Sequence, residues 1–161
     1  MLKISGFGLC VLLSMNTYAA SNEKAKEADK LLHTTAVLPA IKLSIPQVNP
    51  ACIDKAWKKH SAELNQAYQQ EFSLAELRIL NAFFQTPVGK RYILENANQI
   101  RLSHALPVSH PANFSESDKQ HVQAFFSTPE GKKFSTGDSE KRMREVGLQV
   151  GLAIAADCFN K

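Results

Sequence analysis

The chain carries one 21-residue segment twice, and that duplication limits its folds more than any other feature. Residues 72–92 read FSLAELRILNAFFQTPVGKRY and residues 114–134 read FSESDKQHVQAFFSTPEGKKF, with 9 of 21 positions identical at an offset of 42. A recurrence at fixed offset marks a duplicated supersecondary unit. Each copy opens on a capping box, Ser73 with Glu76 and Ser115 with Asp118, and Phe72 is placed to act as a hydrophobic staple. Leu77, Leu80, Phe83 and Phe84 form the apolar face of the first copy; Val122, Phe125 and Phe126 form that of the second. Thr86-Pro87 and Thr128-Pro129 then restart the chain, threonine as N-cap and proline at the first helical position. Each unit therefore predicts a helix, a sharp corner and the start of a second helix.

The flanking sequence extends this pattern. Residues 21–35 carry Ala25, Ala28, Leu31 and Leu32 on one stripe and read as a helix. Pro39, Pro46 and Pro50 predict an extended linker lying on the core through Leu38, Ile41, Leu43 and Ile45. Asn49-Pro50 opens a helix to about Gln70, with Ile53, Trp57, His60, Leu64 and Ala67 on one face. The second helix of the first copy runs from Pro87 to about Leu102 and buries Val88, Tyr92, Ile93, Ala97 and Ile100. A loop follows over residues 103–113. The chain breaks or kinks over residues 135–138, and Ser139 caps a last helix to about Phe159. Met143, Val146, Val150, Ile154 and Cys158 line its core face, and the Gly147, Gly151, Ala155 stripe predicts close helix packing. Sustained period-two alternation is missing, so the fold class is all-α: one compact helical domain over residues 20–161.

Residues 1–19 read as a secretory signal peptide. Lys3 supplies the positive start, Ile4 to Met15 the apolar stretch, and Thr17 to Ala20 a small-residue exit. Losing Lys3 lowers the formal charge from +4 to +3, too small an excess for a nucleic-acid footprint. The mature sequence contains no apolar run of membrane-spanning length. The expected location is the periplasm, or release outside the cell.

Two cysteines remain beyond Cys10 of the leader, Cys52 and Cys158. An even count in an exported chain points to a disulfide between them, with two buried thiols on core helix faces as the alternative.

The frame Phe-Ser-x-x-Glu-Leu followed by Phe-Phe-x-Thr-Pro-x-Gly-Lys, best developed over Tyr68 to Tyr92, resembles the bacterial exported family called domain of unknown function 2059 (DUF 2059). The resemblance implies a signal peptide, an early Leu-rich helix such as Asp29 to Leu32, and a mostly helical domain. It implies no reaction. The second copy departs from the frame at Ser117, Lys119 and His121.

Two kinds of candidate site stand out. Thr86, Gly89 and Lys90, and their counterparts Thr128, Gly131 and Lys132, place helix N-termini beside cations, an arrangement that binds anions. The same residues also serve as plain caps, with each glycine making room for a paired helix. The pairs Phe83-Phe84 and Phe125-Phe126 point about 100° apart on a helix. They either pack the copies together or frame a groove for an acyl chain or apolar peptide. His104, His110 and His121 lie at intervals that share no helical face, and His33 and His60 are isolated, so no metal is expected. Glu76 and Asp118 are explained as caps. No serine sits in a nucleophile turn. No catalytic set and no cofactor motif is found. The reading is a non-enzymatic module that binds an envelope protein, or alternatively a carrier of a small hydrophobic ligand or lipid. A hydrolase with catalytic groups distant in sequence stays open.

Overall fold

The computed structural model describes residues 21–108 and 111–159. The expected leader and His110 lie outside them. All regular secondary structure among the described residues is helical.

Helix α1 covers residues 21–29 and ends in a π-helical turn, Lys30–Thr35, that turns Leu31, Leu32 and Thr35 inward. The expected linker is instead partly helical: α2 spans Val37–Ser44. Pro39 is tolerated because it falls in the first turn, where the missing N–H has no intrahelical acceptor to lose. Asn49 caps α3 (Pro50–His60), its side chain accepting from the Ala51 N–H at 2.9 Å. The helix expected to continue to Gln70 is divided at Ser61, and α4 (Ala62–Glu71) follows.

The duplicated units are α5 (Leu74–Gln85) with α6 (Pro87–Ser103), and α7 (Glu116–Phe126) with α8 (Pro129–Ser135). Both capping boxes are complete. The last helix, α9 (Gly137–Phe159), begins earlier than the Ser139 cap predicts. Gly137 makes the turn with φ of +79°, a conformation that L side chains rarely adopt. Ser139 instead donates its hydroxyl to Glu71.

The two copies face each other reciprocally. Arg91, just past the first corner, binds Asp118 of the second capping box through Nε–Oδ2 at 2.9 Å and Nη2–Oδ1 at 2.6 Å. Lys133, the position equivalent to Arg91, binds Glu76 of the first box at 3.0 and 3.2 Å. The aromatic contacts obey the same exchange. Tyr92 meets Phe126 at 5.1 Å, and the equivalent pair Phe134 and Phe84 meets at 5.3 Å. Such i-to-j and j-to-i pairing is what a twofold interface produces. Here it lies inside one chain, so the second copy is a structural duplicate despite its altered residues.

The core gathers around this pair. Trp57, Leu64, Phe72, Leu77, Leu80 and Phe84 are at most 2 % exposed, and Met143, Val150 and Ile154 of α9 close over them. Helix α9 packs along α3, α4 and α8, while α2 lies along α6.

Candidate functional site

A cleft of about 660 Å³ opens between α2, α6 and α9. Phe84, Tyr92 and Ile93 from the first copy, Phe134 from the second, and Ile154 of α9 form its inner surface. Val37, Ala40 and Ile41 of α2 wall one side; Gly147, Gly151 and Ala155 of α9 wall the other. Among the described residues, none of its lining is charged. Ser44 turns its hydroxyl back to the Ala40 carbonyl at 2.8 Å, which leaves Asn96 and Tyr92 as its other polar side chains. Volume and lining match small-molecule sites, which run roughly 300–1,000 Å³ with few polar groups.

The Gly147–Gly151–Ala155 stripe does not serve the predicted close packing. Among the described residues, a methyl group at Gly147 or Gly151 would meet nothing within 4 Å. The stripe widens the cleft instead. Ile100, expected in the core, is 48 % exposed and lies at the cleft's edge. Leu148 also lines the cleft, and Leu152 lies one turn further along α9; they are 60 % and 57 % exposed.

Of the four candidate groove aromatics, Phe84 lines this cleft. Phe83, Phe125 and Phe126 stack between the copies, because a twofold arrangement brings the equivalent positions 83 and 125 face to face.

At the corners, the Thr86 and Thr128 hydroxyls accept from the Gly89 and Gly131 N–H groups at 3.0 and 3.1 Å. The space beside each glycine holds the chain's own backbone. An added Cβ would lie 2.7 Å from Phe84 Cα at Gly89 and 2.8 Å from Phe126 Cα at Gly131. Lys90 and Lys132 are exposed. Among the described residues no group of three or more His, Cys, Asp or Glu side chains could hold a metal ion.

Cys52 and Cys158 are joined, with Cα atoms 5.8 Å apart, tying the first turn of α3 to the last turn of α9. Beside the bridge, His60 Nε2 and Lys59 Nζ hold the Asp157 carboxylate at 3.1 and 3.2 Å, and keep it below the usual carboxylate range. The Arg91 guanidinium, with help from Ser115, holds Asp118 down at about 2. For Glu76, burial pushes upward, but the Ser73 backbone and Lys133 outweigh it and the net direction is down. Burial alone pushes the Tyr68 hydroxyl up.

The sequence reading missed Arg101. This buried arginine donates from Nε to the Pro107 carbonyl at 2.8 Å, donates again to it from Nη2, and reaches the Leu43 carbonyl at the end of α2. It pins the loop after α6 and the end of α2 at the margin of the cleft. The Pro-rich reading of residues 39–50 conceals the α2 wall that Arg101 supports.

The architecture is that of a small, disulfide-linked, all-helical fold. Residues 61–101, from Ser61 through α4, α5 and α6 to Arg101, match the family model described as an uncharacterized protein conserved in bacteria (DUF2059). The match therefore covers the first copy with its preceding helix. No curated protein and no solved structure matches the chain.

Proposed function

We propose that this chain is an exported, non-enzymatic envelope module whose cleft between α2, α6 and α9 holds an acyl chain or similarly apolar ligand. One observation carries the reading: a cleft of about 660 Å³, free of charged side chains, with two helix-interior glycines leaving its wall open. Glycine inside a helix costs roughly 0.5–1 kcal/mol relative to alanine. No contact among the described residues explains that cost at Gly147 or Gly151. Export rests on the leader-like residues 1–19.

The exposed Leu148 and Leu152 favour a second reading, an apolar segment of an envelope protein laid along the same cleft. Native mass spectrometry of protein taken from its own host's envelope separates the two. A retained mass of lipid size supports the carrier, and a retained polypeptide supports the protein partner. Titration with a fluorescent acyl probe such as cis-parinaric acid completes the test. A bare protein that also leaves the probe's emission unchanged overturns the carrier reading.

A further inference from the structure

A second cleft, of about 540 Å³, is lined by Cys52, Lys55, Lys58 and Lys59 of α3 and by Asp157 of α9. Cys52 lines it and Cys158 does not, which puts the Cys52 side of the bridge towards this cleft. The charges around it are unbalanced. Asp157 is already held by Lys59 and His60, and Asp54, on the same helix, is held by Lys42 at 2.6 Å. Lys55 and Lys58 are exposed and make no ion pair among the described residues. The mouth of the cleft therefore presents two cations without an ion-pair partner among the described residues, beside a half-buried disulfide.

We propose that the Cys52–Cys158 disulfide is a thiol-exchange site, entered through this lysine-lined cleft and attacked at Cys52 by a dithiol oxidoreductase with an acidic face. The step balances as ordinary exchange. A partner thiolate bonds to the Cys52 sulfur, and the Cys52–Cys158 bond breaks with its electron pair leaving on Cys158, which takes up a proton. The partner's second thiolate then attacks its own mixed-disulfide sulfur and releases Cys52, which is protonated in turn. Two electrons and two protons pass to this chain, and the partner dithiol becomes a disulfide. The lysines act by attracting the anionic nucleophile and its acidic surroundings. The Asp157 latch to Lys59 and His60 spans the same two helices, giving α9 a second tie to α3 besides the bridge.

The test uses the oxidised mature chain and two small monothiols: glutathione, whose thiolate carries net negative charge, and cysteamine, whose ammonium makes its thiolate neutral overall. Rates are compared per thiolate, and the adduct is located by alkylation and peptide mass mapping. Glutathione is expected to react about tenfold faster at low salt, as electrostatic steering allows. The gap should close near 1 M salt, where the screening length is about 3 Å. The Lys55→Gln/Lys58→Gln variant, which touches only exposed and unpaired side chains, should close it at low salt, and the adduct should sit on Cys52. Equal rates for the two thiols, an adduct on Cys158, or a rate independent of thiol concentration would each overturn the proposal. The last would mean that the bridge opens only when the chain unfolds.

Discussion

Phe83 lies flat on Phe125, with ring centroids 3.7 Å apart and planes 1° from parallel, and the two residues occupy the same position in the two copies. A residue that stacks on its own counterpart marks the axis relating the copies. The surrounding edge contacts come in matched pairs, Phe83 to Phe126 at 5.9 Å and Phe84 to Phe125 at 6.3 Å. Edge-to-face neighbours favour a face-on pair that would otherwise suffer from like quadrupoles. The duplicated unit is thus held by itself, through aromatic rings at the axis and ion pairs at either side.

Truncating either ring should therefore cost stability through the other. Phe83→Ala and Phe125→Ala are each expected to lose about 2 kcal/mol, below the range for fully buried phenylalanine because both rings are half-buried. The double variant should fall short of the sum by about 1 kcal/mol, the size of an aromatic pair term. Urea unfolding of the four proteins measures it. Strict additivity would remove the stack as a source of stability.

The ion pairs make acid stability a property of the interface. Asp118 is held at about 2 against an ordinary 3.8, so its contribution is complete above about pH 4 and is lost as pH falls towards 2. Glu76, also lowered, acts with the same sign. Asp118→Asn should lower the urea midpoint at neutral pH and flatten its fall between pH 4 and 2. A variant whose midpoint falls in parallel with the parent would show that Arg91 contributes nothing through this group.

What the sequence disclosed follows from the range of each interaction. The capping boxes and the Thr-Pro corners are hydrogen-bond patterns closed within three residues, so residue identity at fixed spacing is enough to read them. The pairing of Arg91 with Asp118 depends on how two helical corners dock, and no local pattern reports it. Pro39 points away from a helix because proline forbids a helix interior, yet it suits a first turn, which is where it stands in α2. Adjacent residues on a helix diverge by about 100°, so the two rings of a Phe-Phe pair must face different surroundings. Phe84 turns to the core and the cleft, while Phe83 turns to the axis.

Glycine shows the same limit, and it yields a prediction at the corners. Gly89→Ala and Gly131→Ala place a methyl group against the backbone of the preceding helix, 2.7 and 2.8 Å from a Cα and closer still to the Phe83 and Phe125 carbonyl oxygens. Backbone cannot step aside as a flexible side chain would, so each change should destabilise by about 1–3 kcal/mol, the usual cost of overpacking. Thermal unfolding reads it directly, and a neutral result at either position would contradict the close approach.

Arg101 should resist even a conservative change. Its planar fork serves the Pro107 carbonyl from two nitrogens while a third reaches Leu43, which a single ammonium cannot copy. Arg101→Lys is expected to lose about 2 kcal/mol, in line with charged hydrogen bonds replaced imperfectly in a buried place. The loss should be local as well as global. The Leu106 amide, which donates to the Arg101 carbonyl at 2.8 Å, should exchange its hydrogen faster, and protease should cut the loop after α6 sooner.

At the cleft the expected sign of a glycine change reverses. Among the described residues nothing lies within 4 Å of a Cβ at Gly147 or Gly151, and both sit inside a 23-residue helix. Gly147→Ala and Gly151→Ala should therefore stabilise the protein by about 0.5–1 kcal/mol, the helix-propensity difference unopposed by any clash. Gly151→Leu goes further, because its side chain projects into the space that an acyl chain would occupy. It should keep or raise the melting temperature while abolishing the response to an apolar probe. That combination separates binding from folding, which truncation of Phe84 or Phe134 cannot do because those rings also belong to the core. A Gly151→Leu protein that still binds the probe with parental affinity would place the ligand elsewhere. If the variant unfolds, the wall of α9 is packed more tightly than its glycines indicate.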